Sequence, residues 1–186
     1  MHSNKSIYSN SWLIEKFQAK EKIKYLFFWG HQLSPDGTVT KSCFSQWMHA
    51  PTVVDGIRYP TAEHWMMAGK ARLFKDPETE QQILTAPSPA AAKKLGRQVK
   101  NFDPVIWDAH KFEIVVAGNI HKFSQHPAFK TFLLDTGDRV LVEASPMDRI
   151  WGIGMAASNE QVENPLKWRG ENLLGYALMI VRDQLK

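Results

Sequence analysis

A chain of 186 residues, 44% hydrophobic and 23% charged, has the composition of one compact globular domain that needs neither disulfide nor metal to fold. Cys43 is the single cysteine, which excludes an intramolecular disulfide and a cysteine-rich metal site and points to a reducing, cytoplasmic setting. The net charge of +4 suits an anionic substrate such as a sugar phosphate or nucleotide, and no apolar run approaches the roughly 20 residues that a bilayer needs, so no membrane partner and no secretion signal are expected.

In chain order, lysines at 16, 20, 22 and 24 precede the aromatic run Tyr25-Leu-Phe-Phe-Trp29-Gly30, which reads as a buried strand and turn. Ser34-Pro-Asp-Gly37 is a turn, and Asp55-Gly56 centres a hairpin over residues 52–59. Thr61 caps a helix running to about Phe74, and a short helix follows over 78–85. Ser88 caps another, which stops at Gly96 as at a left-handed C-terminal residue. Asp103-Pro104 opens a long helix. Its Val105, Ala109, Phe112, Val116, Ile120 and Phe123 form one stripe, the expected core face. Trp107, Ile114 and Gly118 lie on the opposite side, so apolar contacts are expected on both. A turn at 135–138 leads into a strand over 139–144, a glycine-rich loop follows at 151–154, and a last helix spans 172–185 with Leu174, Leu178, Val181 and Leu185 on one face. The fold class expected is α+β, predominantly helical with a small β component.

Three stretches carry candidate chemistry. In Tyr59-Pro-Thr-Ala-Glu63-His64-Trp-Met-Met-Ala-Gly-Lys70, the carboxylate and the amine stand seven residues apart, on one helix face and about 10 Å apart along the axis. The lysine side chain leans toward the helix N-terminus, and the two groups can tune each other's protonation. The plain alternative is a surface helix whose charges match its macrodipole. Glu63-His64 is not the HExxH of a zinc site, and the seven histidines are scattered, so no metal is expected. In Asp148-Arg-Ile-Trp151-Gly152-Ile-Gly154, two glycines allow close backbone approach to a ligand, with a carboxylate and a stacking face beside them. A tight turn with a packed tryptophan explains it as well. In Gly170-Glu-Asn172-Leu-Leu-Gly175, amides at a helix mouth suit phosphate, and helix capping by Asn172 serves equally. Cys43 has no identifiable partner for nucleophilic chemistry.

These stretches, in this order, resemble the NADAR (YbiA-like) family. The resemblance takes in the aromatic-Gly segment, Cys43-Phe44-Ser45, Pro60-Thr-Ala-Glu-His-Trp65, Lys70, Leu95-Gly96-Arg97, Trp107, Asp-x-x-Trp-Gly-x-Gly, Gly-x-Asn-x-Leu-Gly and the final Leu-Met helix. It covers about residue 25 to the C-terminus and leaves residues 1–24 as a basic N-terminal extension. It implies an N-glycosidase without cofactor, acting on a riboflavin-pathway ribosylaminopyrimidine phosphate or on ADP-ribosylated guanine in DNA or RNA. Carried over by position, Glu63, Trp107 and Asp148 match residues that the resemblance implies are important, and Lys70 matches the family's helix lysine. Glu63, Lys70 and Asp148 are taken as the candidate catalytic residues, and Trp107, Arg97, Trp151, Gly152, Gly154, Asn172, His64, Trp29 and Gly30 as candidate substrate contacts. The YbiA-like branch tends to carry an acidic residue after Trp-Gly, where this chain has Ile153.

The chemistry expected is proton transfer by Glu63, attack on or orientation of the ribose C1 by Lys70, and stabilisation of sugar hydroxyls or developing charge by Asp148. Trp107 would wall the base or sugar, and Arg97 would stand near phosphate. A neutral Lys70 requires burial or a cationic neighbour such as Arg72 or Arg97. Two rival readings stay open: a module that binds ADP-ribose or a nucleotide without cleaving it, and a nucleic-acid-binding protein using the lysine cluster.

Overall fold

The computed structural model describes residues 7–186. Its elements are α1 (Asn10–Gln18), β1 (Tyr25–Phe28), β2 (Thr52–Val54), β3 (Ile57–Tyr59), α2 (Ala62–Leu73), α3 (Pro77–Leu84), α4 (Pro89–Gly96), α5 (Pro104–Gln125), α6 (Pro127–Leu134), β4 (Val140–Glu143) and α7 (Leu173–Gln184). Short 3-10 turns occupy Lys41–Phe44 and Pro165–Lys167. Helix dominates and the strands pair only two by two, so the class is α+β, as expected. The chain forms two compact units, one running up to Gly30 and resuming over Phe132–Lys186, the other comprising His31–Thr131.

In the first unit β1 and β4 pair in parallel, with Tyr25 opposite Val140 and Phe28 opposite Glu143. Helix α7 packs on β4 and buries nearly all its circumference, including the expected Leu174, Leu178 and Val181. The buried Arg182 guanidinium is compensated by bonds to Thr136 Oγ1 and the Arg139 carbonyl. Residues 10–18, read only as part of a basic extension, fold as a helix capped by Ser9, with Leu13 wholly buried. Side chains tie this helix in. Tyr8 donates to Asp183 at 2.5 Å, Tyr176 donates to Asn10 Oδ1 at 2.9 Å, and Asn10 Nδ2 donates to the Gly170 carbonyl at 3.1 Å. The lysine cluster is partly neutralised, since Lys16 pairs with Glu21 and Lys24 with Asp138.

In the second unit, the β2–β3 hairpin turns through Asp55 (φ 51) and Gly56 (φ 77), the left-handed pair that its turn type demands. Helices α2, α3, α4 and α5 begin on Thr61, Asp76, Ser88 and Asp103, each accepting a first-turn N–H. Helix α2 is central and packs on α3, α4 and α5. Glycines permit the close approaches. A Cβ on Gly69 would stand 2.8 Å from Ile114 Cγ2, and one on Gly118 would stand 2.9 Å from Trp65 Cγ.

Two expectations are corrected. The buried face of α5 is Lys111, Val115, Gly118, Asn119, Lys122 and Phe123, not the apolar stripe from Val105 to Phe123. Val105 is 77% exposed and Ala109 is exposed too, because the first two turns of α5 project beyond the packed region. The expectation of contact on the Ile114–Gly118 side holds, since that side meets α2. Gly96 is not left-handed, because it lies inside α4 and Arg97 caps the helix in right-handed geometry. It is glycine for packing, since a Cβ there would stand 2.9 Å from Met67 Cγ.

Candidate active site

Helix α2 starts where Thr61 Oγ1 accepts the His64 N–H. The His64 ring completes this corner. Its Nε2 donates to the Ala86 carbonyl at 3.1 Å, so Nδ1 is the unprotonated nitrogen and accepts from the Thr61 hydroxyl at 2.8 Å. Burial lowers the affinity of this imidazole for a proton. With both nitrogens committed and the ring 1% exposed, His64 ties α2 to the end of α3 and offers a substrate nothing.

Glu63, one residue earlier, is 2% exposed. Its backbone N–H donates to the Gln46 carbonyl at 3.0 Å, and its place in the first turn favours negative charge. The plain surface-helix alternative therefore fails for this residue, whose carboxyl group is enclosed.

Lys70, two turns on, is half-buried. Its Nζ donates to the Gly96 carbonyl at 2.8 Å and lies 4.0 Å from the Phe102 ring centroid and 5.5 Å from that of Trp107. Burial lowers its pKa. Neither cationic neighbour considered above, Arg72 or Arg97, is the cause, because burial alone lowers it, and the Arg72 guanidinium is held by Glu80 and by the Tyr59 hydroxyl. Among the described residues no carboxylate pairs with Lys70. Burial thus leaves this amine closer to its neutral, nucleophilic form than a solvated lysine.

The structure thus brings Lys70, Trp107 and the Gly96-Arg97 end of α4 together. Trp107 is half-buried and Arg97 is exposed. Phe102, whose ring is the nearer of the two to the amine, was missed by sequence reasoning; it stands outside the matched motifs and one residue before the cap of α5. Gln46 and Asn119 were missed as well. Asn119 carries a polar group on a helix read by its apolar residues, so the periodicity hid it.

In the first unit, Asp148 Oδ1 accepts the N–H groups of Ile150 and Trp151 at 2.9 and 2.8 Å, leaving Oδ2 unused by either. The loop it shapes is clasped to the start of α7. The N–H groups of Glu171, Asn172, Leu173 and Leu174 donate to the carbonyls of Arg149, Gly152, Ile150 and Trp151. Those amides are therefore not free for phosphate. Asn172 does not cap with its side chain either. At φ 55, its Oδ1 accepts from Glu143 N–H and its Nδ2 donates to the Leu141 carbonyl, which pins the turn to β4. Gly152 is buried where a Cβ would stand 2.8 Å from the Glu143 carbonyl, and Gly154 is left-handed at φ 63. Trp151 is half-buried. Trp29 is 62% exposed beside Gly30, whose φ is 86.

The chain belongs to the NADAR domain family, whose model matches residues 27–186. It is 43% identical over 169 residues to N-glycosidase R617 of Acanthamoeba polyphaga mimivirus, covering 88% of this chain and 98% of that protein. It is 33% identical over 138 residues to the chloroplastic riboflavin biosynthesis protein PYRR of Zea mays, covering 70% of this chain and 20% of the maize protein. Escherichia coli N-glycosidase YbiA is 32% identical over 142 residues, 76% of this chain and 80% of its own length. The NMR structure of YbiA superimposes with a TM-score of 0.70 over 88% of this chain and 86% of that one. Among the described residues no helix is long and apolar enough to cross a membrane.

Proposed function

We propose that this protein hydrolyses the bond between C1 of a ribose and a nitrogen, with Glu63 and Lys70 of α2 acting on the scissile bond. The activity class rests on the relationship to N-glycosidases R617 and YbiA. The riboflavin relationship of the maize protein supports a ribosylaminopyrimidine phosphate as substrate. ADP-ribosylated guanine in DNA or RNA is the second substrate class that the sequence resemblance implies.

The observation that carries the reading is the setting of Lys70, an amine with a lowered pKa, no carboxylate bonded to it among the described residues, and two aromatic rings beside it. In the reaction, Glu63 passes a proton to the departing nitrogen while the neutral Lys70 amine adds to C1. The ring C1–O bond then breaks as an Nζ proton passes to the ring oxygen, leaving an iminium at C1. Water adds there and gives a proton to the Glu63 carboxylate, and the hydroxyl proton of the resulting carbinolamine passes to Nζ as the C1–Nζ bond breaks, which returns neutral Lys70, protonated Glu63 and the free sugar. Trp107 and Phe102 offer faces to a base or sugar. Asp148 keeps the role of a carboxylate for sugar hydroxyls on the strength of its matched motif.

The test is turnover of a ribosylaminopyrimidine phosphate and of an ADP-ribosylated guanine oligonucleotide side by side, with product masses read by mass spectrometry. Free aminopyrimidine with ribose 5-phosphate, or unmodified oligonucleotide with ADP-ribose, is the expected product pair from at least one of them. Glu63→Gln should lose roughly 10²–10⁴ of the rate, as removal of a general acid does, and borohydride should trap a sugar adduct on the wild type but not on Lys70→Met. Full turnover by both variants with folding intact would refute the assignment.

A further inference from the structure

Gln46 and Asn119 meet in the interior of the second unit, behind the first turn of α2. Asn119 is fully buried on α5, and Gln46, whose carbonyl holds the Glu63 N–H, is 8% exposed. The segment carrying Gln46 is held from the other side by Lys122, whose Nζ donates to the Ser45 carbonyl at 2.8 Å. Its position relative to Glu63 is therefore fixed by backbone contacts at consecutive residues.

The bonding also settles which way each amide faces. Asn119 Nδ2 donates to the Val115 carbonyl and to Gln46 Oε1, both at 2.9 Å. A carbonyl can only accept, so the nitrogen of Asn119 faces Val115, and Gln46 must then turn its oxygen to that nitrogen. Two atoms remain, the donor Gln46 Nε2 and the acceptor Asn119 Oδ1. Both are buried, and among the described residues neither has a hydrogen-bond partner. Interiors rarely leave such groups unmade.

The two atoms flank a single Nδ2···Oε1 bond, and the nitrogen and oxygen of one amide lie only about 2.2 Å apart. One oxygen placed within roughly 2.8–3.0 Å of each would satisfy the two together. The occupant must accept from Nε2 and donate to Oδ1. An ammonium cannot accept and a carboxylate cannot donate, whereas a hydroxyl does both.

We propose that Gln46 and Asn119 form a hydroxyl-binding site beside Glu63, filled by the hydroxyl next to the anomeric carbon of a ribosyl ligand or by an enclosed water. The ribosyl arm rests on the glycosidase reading of Glu63; the site itself does not. Gln46 then determines specificity for ribose over 2-deoxyribose.

The test pairs a high-resolution crystal structure with calorimetric binding of ribose 5-phosphate and 2-deoxyribose 5-phosphate to the wild type, Gln46→Leu and Gln46→Glu. The Gln46→Glu change keeps the side-chain shape and removes the donor, which guards against a Leu variant that fails to fold. The expected results are an oxygen bonded to both atoms and a preference for ribose 5-phosphate of at least about tenfold in the wild type, falling to near unity in both variants. An oxygen in place with no sugar discrimination makes the occupant water and upholds the site. Neither an oxygen nor discrimination overturns it. Glycoside turnover is read separately, so an inactive wild type that still holds the bridging oxygen would refute the glycosidase reading alone.

Discussion

Lys122 is a charge in an interior. Its side chain is 1% exposed, with the Ser45 carbonyl as its hydrogen-bond acceptor and the Phe123 ring 5.3 Å away, and burial pushes its pKa down from 10.5 to about 8. The thiol of Cys43, pushed up to about 12 by its own burial, stays protonated nearby and offers no counter-charge. Between pH 8 and 10.5 the unfolded chain holds the proton that the folded chain has released, so stability rises with pH in that window. Below pH 8 the full cost of burying the ammonium is present. Lys122→Met removes this cost, so the stability of the wild type relative to the variant should shift in favour of the wild type by about 2–3 kcal/mol between pH 7 and 10. Urea melts across that range would read it, and a flat difference would show that the lysine is not neutralised by folding. Nothing in the residue pattern announced this group, because a lysine between His121 and Phe123 reads as a solvated position. Glu63 and Lys70, by contrast, stood out as candidates through their seven-residue spacing and matched motif. The partners that define their environment, Gln46 and Phe102, come from distant segments that spacing cannot connect.

The caps were legible at the level of elements, because Thr61, Ser88 and Asp103 are residues whose short side chains reach first-turn amides. The face of α5 was not. Its inner side carries Lys111, Asn119 and Lys122, so hydrophobic periodicity selected the wrong stripe. What sets its crossing with α2 is Gly118 under Trp65, with the indole N–H fixed on the Ile114 carbonyl at 2.8 Å. Alanine ordinarily stabilises a helix by about 1 kcal/mol over glycine. Here its methyl would enter a ring that cannot swing aside, so Gly118→Ala should instead destabilise by roughly 1–3 kcal/mol, read as a lower thermal midpoint. An unchanged or raised midpoint would mean that the helices yield. Helix α1 went unread because it is short and lies beside the lysine cluster, and its helix is secured by tertiary bonds from Tyr8 and Asn10.

For the whole molecule, the family model begins at residue 27 while the first unit also incorporates α1, so the matched region is not the full architecture of that unit. The clasp between residues 149–152 and 171–174 has one more effect. It brings the two ends of the intervening segment together, and that segment's tip, residues 157–161, lies exposed. Closing a somewhat longer loop costs little, about 0.6 kcal/mol for each doubling of length. A five-residue Gly-Ser insert between Ser158 and Asn159 should therefore leave the urea midpoint nearly unmoved, and a collapse in stability would show that the tip bears packing weight. If the insert is tolerated, this tip is a stretch where descendants can gain or shed residues while the machinery on either side is inherited unaltered.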